Sequence, residues 1–587
     1  MRHAIASGFT WIAVGAAAVV LLTLACSDAT APPVASQLAF TIQPGTAAAG
    51  VSMPVVAVSI LSADGKTVTS AKNLVNLEVY SPLGVGLIGI TNVEALDGVA
   101  TFRELSINTK GTGFSLVASS DALGFAISAS FEVTFGPAAR LVFTSQPTFT
   151  GVGTAIAPAV RVTVQDAFDN VVTTATNNVT LAMNTSGNGA VLSGTTTVAA
   201  VNGVASFSDL TTTTACASCT LAASAPNLAG ATSTEFEVRN PIIFAAISSG
   251  YFHTCGVATD GAAYCWGDNA EAQLGATRGS TLARAVNGGF TFANVSSGRT
   301  HTCGSTMAGA GYCWGGEGSG ALGIGGTKAL QPTLILGGLS FATVAAGYSH
   351  SCGVTTAGVG YCWGDNIYGE LGSGIVGQGT VPQPVLGGLV FSNISPGREF
   401  TCGLTTTGAA YCWGENSLGE LGDGTNVLRP KPVPVAGQIT FAVVRAGGFH
   451  ACGLTPAGAA YCWGDRTDGK LGDGVAIGAS AVPVAVSGGL TFATISVGNR
   501  HTCAVTTGGA AYCWGENSTG HLGTGTINPS SVPVAVVGGL AFSSVSAGRF
   551  HTCGVTTAGA GYCWGNNAAG KLGDGTVTNS FVPVKVR

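Results

Sequence analysis

Charge is scarce in this chain. Only 9% of its 587 residues are Asp, Glu, Lys or Arg, against roughly a quarter in an ordinary globular domain. The 23 basic and 28 acidic residues leave a formal net charge of -5. That balance gives no support to a nucleic-acid binder, and no nucleic-acid partner is expected. Long apolar runs are also missing. Hydrophobic residues make up 46% of the chain, yet past Ala25 they come in strand-length pieces broken by Gly, Asn and Asp. This is the pattern of a β core. Gly-x-Ser-x-Gly, His-Glu-x-x-His and a phosphate-cradling glycine loop are absent too, so the motifs supply no catalytic residue, no metal and no cofactor. Carboxylates are sparse, and an enzyme with paired acids on a central axis stays open as the alternative.

What is present is repetition. From Ile242 to Arg587 one unit is written seven times. Its clearest copy runs Gly548-Arg549-Phe550-His551-Thr552-Cys553, then Tyr562-Cys563-Trp564-Gly565, then Leu572-Gly573-Asp574-Gly575. The first cysteine recurs at Cys255, Cys303, Cys352, Cys402, Cys452, Cys503 and Cys553, in steps of 48, 49, 50, 50, 51 and 50 residues. The second follows ten residues later each time, at Cys265, Cys313, Cys362, Cys412, Cys462, Cys513 and Cys563. A fixed period near fifty means a ring or stack of like units. Each unit offers a phenylalanine strand (Phe542 to Val545), a hairpin (His551 to Val555 with Gly561 to Trp564) and a Val-Pro-Val strand (Val532 to Val536). One such sheet cannot bury both faces; seven packed radially can. The first unit starts without a Val-Pro-Val strand and the last finishes with Phe581-Val582-Pro583-Val584-Lys585-Val586. The last strand is therefore expected to pair with the strand that Ile242 begins and so close the ring.

The amino terminus has the layout of a secretory signal: Arg2 and His3, an apolar run from about Phe9 to Ala25, then Cys26. Leu22-Thr23-Leu24-Ala25-Cys26 resembles the bacterial lipoprotein box, which implies lipid attachment at Cys26, although Thr23 stands where the box prefers Leu. Cleavage without lipid and an uncleaved signal anchor are the alternatives. All three place the bulk of the chain outside the cytoplasm, at a bacterial cell envelope or surface or secreted. Residues 27–36 read as a linker.

A second, longer repeat fills 37–137 and 138–240. Leu38-Ala39-Phe40-Thr41 with Gln43-Pro44 returns as Leu141-Val142-Phe143-Thr144 with Gln146-Pro147. Gly98-Val99-Ala100-Thr101-Phe102 returns as Gly203-Val204-Ala205-Ser206-Phe207, and Phe131-Glu132-Val133 as Phe236-Glu237-Val238. Val56, Val58 and Ile60 alternate, as do Val160, Val162 and Val164, which predicts half-buried strands. The pair looks like the immunoglobulin-like sandwiches of bacterial surface proteins, which implies a stalk. The expected fold is thus all-β: residues 1–26 a signal, two sandwiches, and a seven-bladed propeller over 241–587. Cys216 and Cys219 read as a local disulfide or two free thiols.

Gly-x-x-His-Thr, Tyr-x-Trp-Gly and Asn-x-x-Gly-x-Leu-Gly-x-Gly together resemble the repeat of the regulator of chromosome condensation family. The resemblance covers Ile242 to Arg587 and implies a seven-bladed propeller. Family members include a guanine-nucleotide exchange factor, a plant photoreceptor and a secreted bacterial inhibitor of β-lactamases, so it implies no single function. Exchange or chromatin binding rests on this analogy alone. The cysteines depart from the usual repeat. Nine residues lie between the two, so an odd-length turn puts them opposite each other, inside disulfide range. Seven staples are expected in an exported chain: Cys255-Cys265, Cys303-Cys313, Cys352-Cys362, Cys402-Cys412, Cys452-Cys462, Cys503-Cys513 and Cys553-Cys563. A metal held by each pair and its histidine is the rival, and Phe400 breaks that trio in the fourth unit.

Function is expected where the copies differ, in the dipeptide between Gly and His. It reads Tyr251-Phe252, Arg299-Thr300, Tyr348-Ser349, Arg398-Glu399, Gly448-Phe449, Asn499-Arg500 and Arg549-Phe550. The resemblance implies that these residues gather on one face. Arg, Tyr and Phe are the types that dominate binding hot spots. Four arginines against Glu399 predict a basic face and an acidic, aromatic partner, protein or glycan. The expectation is an exported binding or adhesion protein, held to the membrane by a lipid or signal anchor.

Overall fold

The computed structural model describes residues 32–81, 84–185, 189–316, 318–326 and 328–587. The signal-like segment and Cys26 lie outside them. The described residues are strand and turn, apart from two single 3-10 turns at Thr467–Gly469 and Ala568–Gly570. Among them no helix is long and apolar enough to cross a membrane.

The two copies of the longer repeat fold alike. In the first, a three-stranded sheet of Gln37–Ile42, Val56–Leu61 and Val99–Phe102 faces a larger sheet built on Leu74–Tyr80, Gly111–Ser120 and Phe131–Thr134. In the second, Arg140–Ser145, Val160–Gln165 and Val204–Phe207 face a sheet built on Asn178–Thr185, Cys216–Ser224 and Phe236–Arg239. The alternating residues are what fill the space between: Val56, Val58, Ile60, Val160, Val162 and Val164 are all fully buried. Each unit has its own core. Cys216 and Cys219 are disulfide-bonded.

Beyond them, the described residues form seven four-stranded antiparallel sheets in succession. The last consists of Phe542–Ala547, His551–Thr556, Gly561–Gly565 and Ser580–Lys585, in that order from the inside outward. The second and third strands put Cys553 directly opposite Cys563 and Thr552 opposite Trp564. The same register recurs in all seven sheets, and all seven cysteine pairs are disulfides with Cα atoms 4.0–4.1 Å apart. Closing so short a loop in the unfolded chain contributes about 2–3 kcal/mol per bond.

Ring closure differs from the expected strand exchange. Ser580–Lys585 pairs with Gly561–Gly565 of its own sheet, with Lys585 opposite Tyr562 and Val584 opposite Cys563. Every sheet is one continuous stretch of chain, so the Val-Pro-Val strand belongs to the repeat before it. The physical reason is the loop after Trp-Gly, which returns the chain along the hairpin it has just left. The ring closes through other contacts. Arg549 donates its backbone N–H to the Gly250 carbonyl at 3.3 Å, Phe244 to Gly559 at 2.8 Å, and Ala283 to Arg587 at 2.9 Å.

The seams between sheets explain the motif. In Gly-x-Leu-Gly the middle residue aims its carbonyl into the next sheet. The Glu370 carbonyl accepts from Thr401 Oγ1 and Trp413 Nε1, both at 2.8 Å. Lys571 does the same across the closing seam for Thr254 and Trp266, at 2.9 Å each. Because the hydroxyl donates to the carbonyl, its lone pair is left for the histidine of the preceding sheet. His253 meets Thr302, His301 meets Ser351, His350 meets Thr401, His450 meets Thr502, His501 meets Thr552 and His551 meets Thr254, all at 2.8–2.9 Å. Each imidazole is therefore the Nε2–H tautomer, neutral and fully buried. The loop carrying the carbonyl is pinned by the motif asparagine: Asn366 accepts from Leu371 N–H and donates to the Ile375 and Gly377 carbonyls. The tryptophans are fully buried and stack on the phenylalanine of the same sheet, with centroids 5.6–6.0 Å apart. Two indoles, those of Trp314 and Trp514, miss the carbonyl and have no hydrogen-bond partner among the described residues. One seam lacks the histidine and the hydroxyl. Phe400 replaces histidine, and the residue it meets is Ala451, which has no hydroxyl. Donor and acceptor are lost together, so no polar group is orphaned.

Two expectations follow from the seams. Burial holds His253, His350 and His450 down to about 3 and His301 to about 4, with His501 and His551 also well below their ordinary range. Folded values below unfolded ones mean stability that is complete above about pH 6.5 and is lost as pH falls toward the folded values. Each histidine contributes a slope of about 1.4 kcal/mol per pH unit in that window. Urea unfolding of the full chain by tryptophan fluorescence between pH 6.5 and 4.5 measures it, and H253Q/H501Q should flatten the dependence by about two protons. At the exceptional seam, Phe400→His and Ala451→Thr should each destabilise alone. Together they should recover about 1 kcal/mol of coupling in a double-mutant cycle.

Candidate binding face around the axis

The variable dipeptides lie in the turns between the inner and second strands. Each turn is tight, with the glycine N–H bonded to the histidine carbonyl, as in Gly250 to His253 at 2.9 Å. The residue after the glycine then donates its N–H to the next sheet's glycine carbonyl. Tyr251 reaches Gly298, Tyr348 reaches Gly397, Arg398 reaches Gly447, Gly448 reaches Gly498, Asn499 reaches Gly548 and Arg549 reaches Gly250, at 3.0–3.3 Å. This circle of backbone bonds is why the position is glycine. A Cβ at Gly447 would stand 2.3 Å from the Gly498 carbonyl, and one at Gly548 2.6 Å from that of Gly250.

The circle brings most of the expected residues into one cluster at the mouth of the axis. Tyr251 spans it: its ring meets Tyr348 edge-on at 4.8 Å, and its hydroxyl accepts from the Asn499 amide. Arg299 lies over Tyr348 at 4.8 Å, and Arg398 lies over Tyr348 and Phe449 at 5.5 and 4.6 Å. Arg549 lies over Tyr251, Phe252 and Phe550 at 5.5, 5.6 and 4.8 Å. Guanidinium faces are thus covered by rings, a contact worth about 0.5–2 kcal/mol each depending on desolvation. Glu399 pairs with Arg398 at 3.2 Å. Arg500 is exposed and stands outside the cluster. Burial pushes the Tyr251 phenol above its ordinary pKa.

The face is not uniformly basic. The residue after Trp-Gly bonds through its N–H to the carbonyl of the second dipeptide residue, as in Asp268 to Phe252, Asp365 to Ser349, Glu415 to Glu399, Asp465 to Phe449 and Glu516 to Arg500. Five acidic residues therefore sit beside the dipeptide turns. Sequence reasoning passed over them, although the position reads acidic in five of the seven copies. Five residues further on, the side chain of the seam residue is buried. In two sheets it meets the acid as a hydrogen-bonding partner: Lys470 reaches Asp465 at 2.5 Å and His521 reaches Glu516 at 3.2 Å. In two it does not. Glu370 sits near Asp365 and Glu420 near Glu415, and burial, with these carboxylates adding to it, raises both glutamates to about 7. Burial lowers Lys571 to about 8.

The trio once open to metal is otherwise engaged. The sulfurs are bonded to one another, and the imidazoles are turned to the next sheet. The carboxylate of Asp465 is held by Lys470 and Thr467. Behind the mouth runs an axial channel of about 450 Å³, walled by the inner strands of all seven sheets, whose lining contains no Asp, Glu or His among the described residues.

Residues 244–273, 341–370, 391–420, 492–520 and 542–571 match one model of the regulator of chromosome condensation (RCC1) repeat, and 407–454, 457–505 and 508–555 match a second. The chain matches no curated protein. Among solved structures it is similar to Prp20p of Saccharomyces cerevisiae, at 18% identity and a TM-score of 0.51 over 59% of this chain and 87% of that one. It is also similar to yeast RCC1 (Prp20) bound to Kap60, at 19% identity and a TM-score of 0.50 over 59% and 85% of the two chains. Human WBSCR16 is similar at 20% identity and a TM-score of 0.50, over 55% and 89%. At such identities the likeness concerns the fold. With the matched repeats it shows that the carboxy-terminal part of this chain is a propeller built of regulator of chromosome condensation repeats.

Proposed function

We propose that this is an exported binding or adhesion protein of a bacterial cell envelope. In this reading a lipid on Cys26 anchors the chain, and two immunoglobulin-like sandwiches form a stalk. A seven-bladed, disulfide-stapled propeller then presents its axial mouth to a protein or glycan. The observation that carries the reading is the cluster of Tyr251, Tyr348, Phe449 and Phe550 with Arg299, Arg398 and Arg549. Such clusters of aromatic and arginine side chains supply most of the energy in protein recognition. The guanidinium faces are occupied by rings; Arg398 also pairs with Glu399, and the hydrogen-bonding edges of Arg299 and Arg549 would meet carboxylates or hydroxyls of a partner. Seven cross-strand disulfides support an oxidising compartment, since they persist outside the reducing cytosol.

Crosslinking on intact cells, followed by pull-down with the full-length protein, identifies the partner. Alanine at both Arg398 and Arg549 should weaken its capture at least tenfold, and unchanged capture would remove the face from consideration. Mass spectrometry of the mature amino terminus should find a diacyl- or triacylglyceryl modification on Cys26. An unmodified terminus or an uncleaved signal would replace the anchor in this reading.

A further inference from the structure

The fifth residue of each inner strand builds a belt inside the axial channel. In five sheets it is a serine whose hydroxyl accepts a backbone N–H of the next sheet. Ser248 accepts from Ser297, Ser296 from Ala346, Ser395 from Ala446, Ser496 from Ala547 and Ser546 from Ser249, at 2.9–3.0 Å. In the third sheet it is Ala345, and the facing residue is Pro396, which has no N–H to satisfy. The belt is therefore polar and balanced, except in the fifth sheet, where the equivalent position, four residues after Phe441, is Arg445.

Arg445 is a cation on the channel wall with no carboxylate among the residues that line the channel. Its Nη1 donates to Asn393 Oδ1 at 3.2 Å and to its neighbour's carbonyl, Val444 O, at 3.1 Å. Both acceptors are neutral. Burial works against its charge, and a charge held inside a protein is costly unless something of opposite sign meets it. A half-buried guanidinium held only by neutral acceptors, on the wall of a space of about 450 Å³, is the charged part of an oxyanion site.

We propose that the axial channel binds a small free oxyanion of the phosphate, sulfate or short-carboxylate class, with Arg445 as its charge partner. Tyr251 lies across the mouth, so what approaches Arg445 from that end is a small solute and not a partner's side chain. The channel shares Tyr251, Tyr348, Arg398 and Asn499 with the face proposed for recognition, so the test turns on Arg445, which that face does not use.

The test uses the full chain, with inorganic phosphate as the probe and tryptophan fluorescence as the readout of unfolding. The wild type should be stabilised saturably, with the folded-to-unfolded ratio rising about elevenfold at ten times the dissociation constant. R500Q, which removes an exposed arginine outside the mouth cluster, should behave the same, and R445Q should lose the saturable part. A non-saturating rise, equal in all three proteins, is the general salting effect of phosphate and would overturn the site, as would saturable binding retained by R445Q. Should R445Q fail to fold, wild-type crystals soaked in selenate decide. An anomalous peak within hydrogen-bonding distance of Arg445 upholds the site, and a channel without one overturns it.

Discussion

One backbone carbonyl per seam holds the ring together. In Gly-x-Leu-Gly it is carried into the neighbouring sheet, away from water, where an unpaired acceptor would cost about 1–3 kcal/mol. At four of the seven seams an indole and a hydroxyl both reach it, through the carbonyls of Ala321, Glu370, His521 and Lys571. The rest of the repeat serves that meeting. Asparagine pins the loop so that the carbonyl points the right way, and leucine plugs the space beneath it. Histidine takes up the hydroxyl's remaining lone pair. The motif is thus a wiring diagram for an interface between sheets, although it reads along the chain as if it described a single unit.

The parts of the fold legible in the sequence were those fixed by local register. Cys553 and Cys563 flank a short turn, so their pairing depends only on the hairpin between them. The tryptophans and the alternating valines follow from the two-residue period of a strand. What the sequence concealed was the phase of the repeat. A cyclic series has no natural first strand, and Val-Pro-Val can be assigned to the sheet before or after it with equal hydrophobic gain. Only the register of Tyr562 against Lys585 decides, and that depends on a loop whose path is set by the neighbouring sheet.

The site was legible to a similar extent and for the same reason. The dipeptides are variable residues inside an invariant turn, so a ring of repeats had to gather them. Their electrostatic setting was not legible from the dipeptides alone. Asp365, Glu415 and Asp465 lie sixteen residues further along the chain, yet backbone bonds join them to Ser349, Glu399 and Phe449 of the dipeptides. Arg445 was hidden differently. It occupies an ordinary strand position, and its meaning emerges only when six small residues at the same height are set beside it.

The disulfides have a mechanical consequence. Each joins two strands of one sheet, and none crosses a seam. Covalent reinforcement and toroidal integrity are therefore assigned to different bonds. Under a pulling force, as on a tether between surfaces, the torus would part between sheets and leave compact, crosslinked beads along the strand. Each bead would keep its hairpin, and with it the template for reseating its neighbour once the load is released.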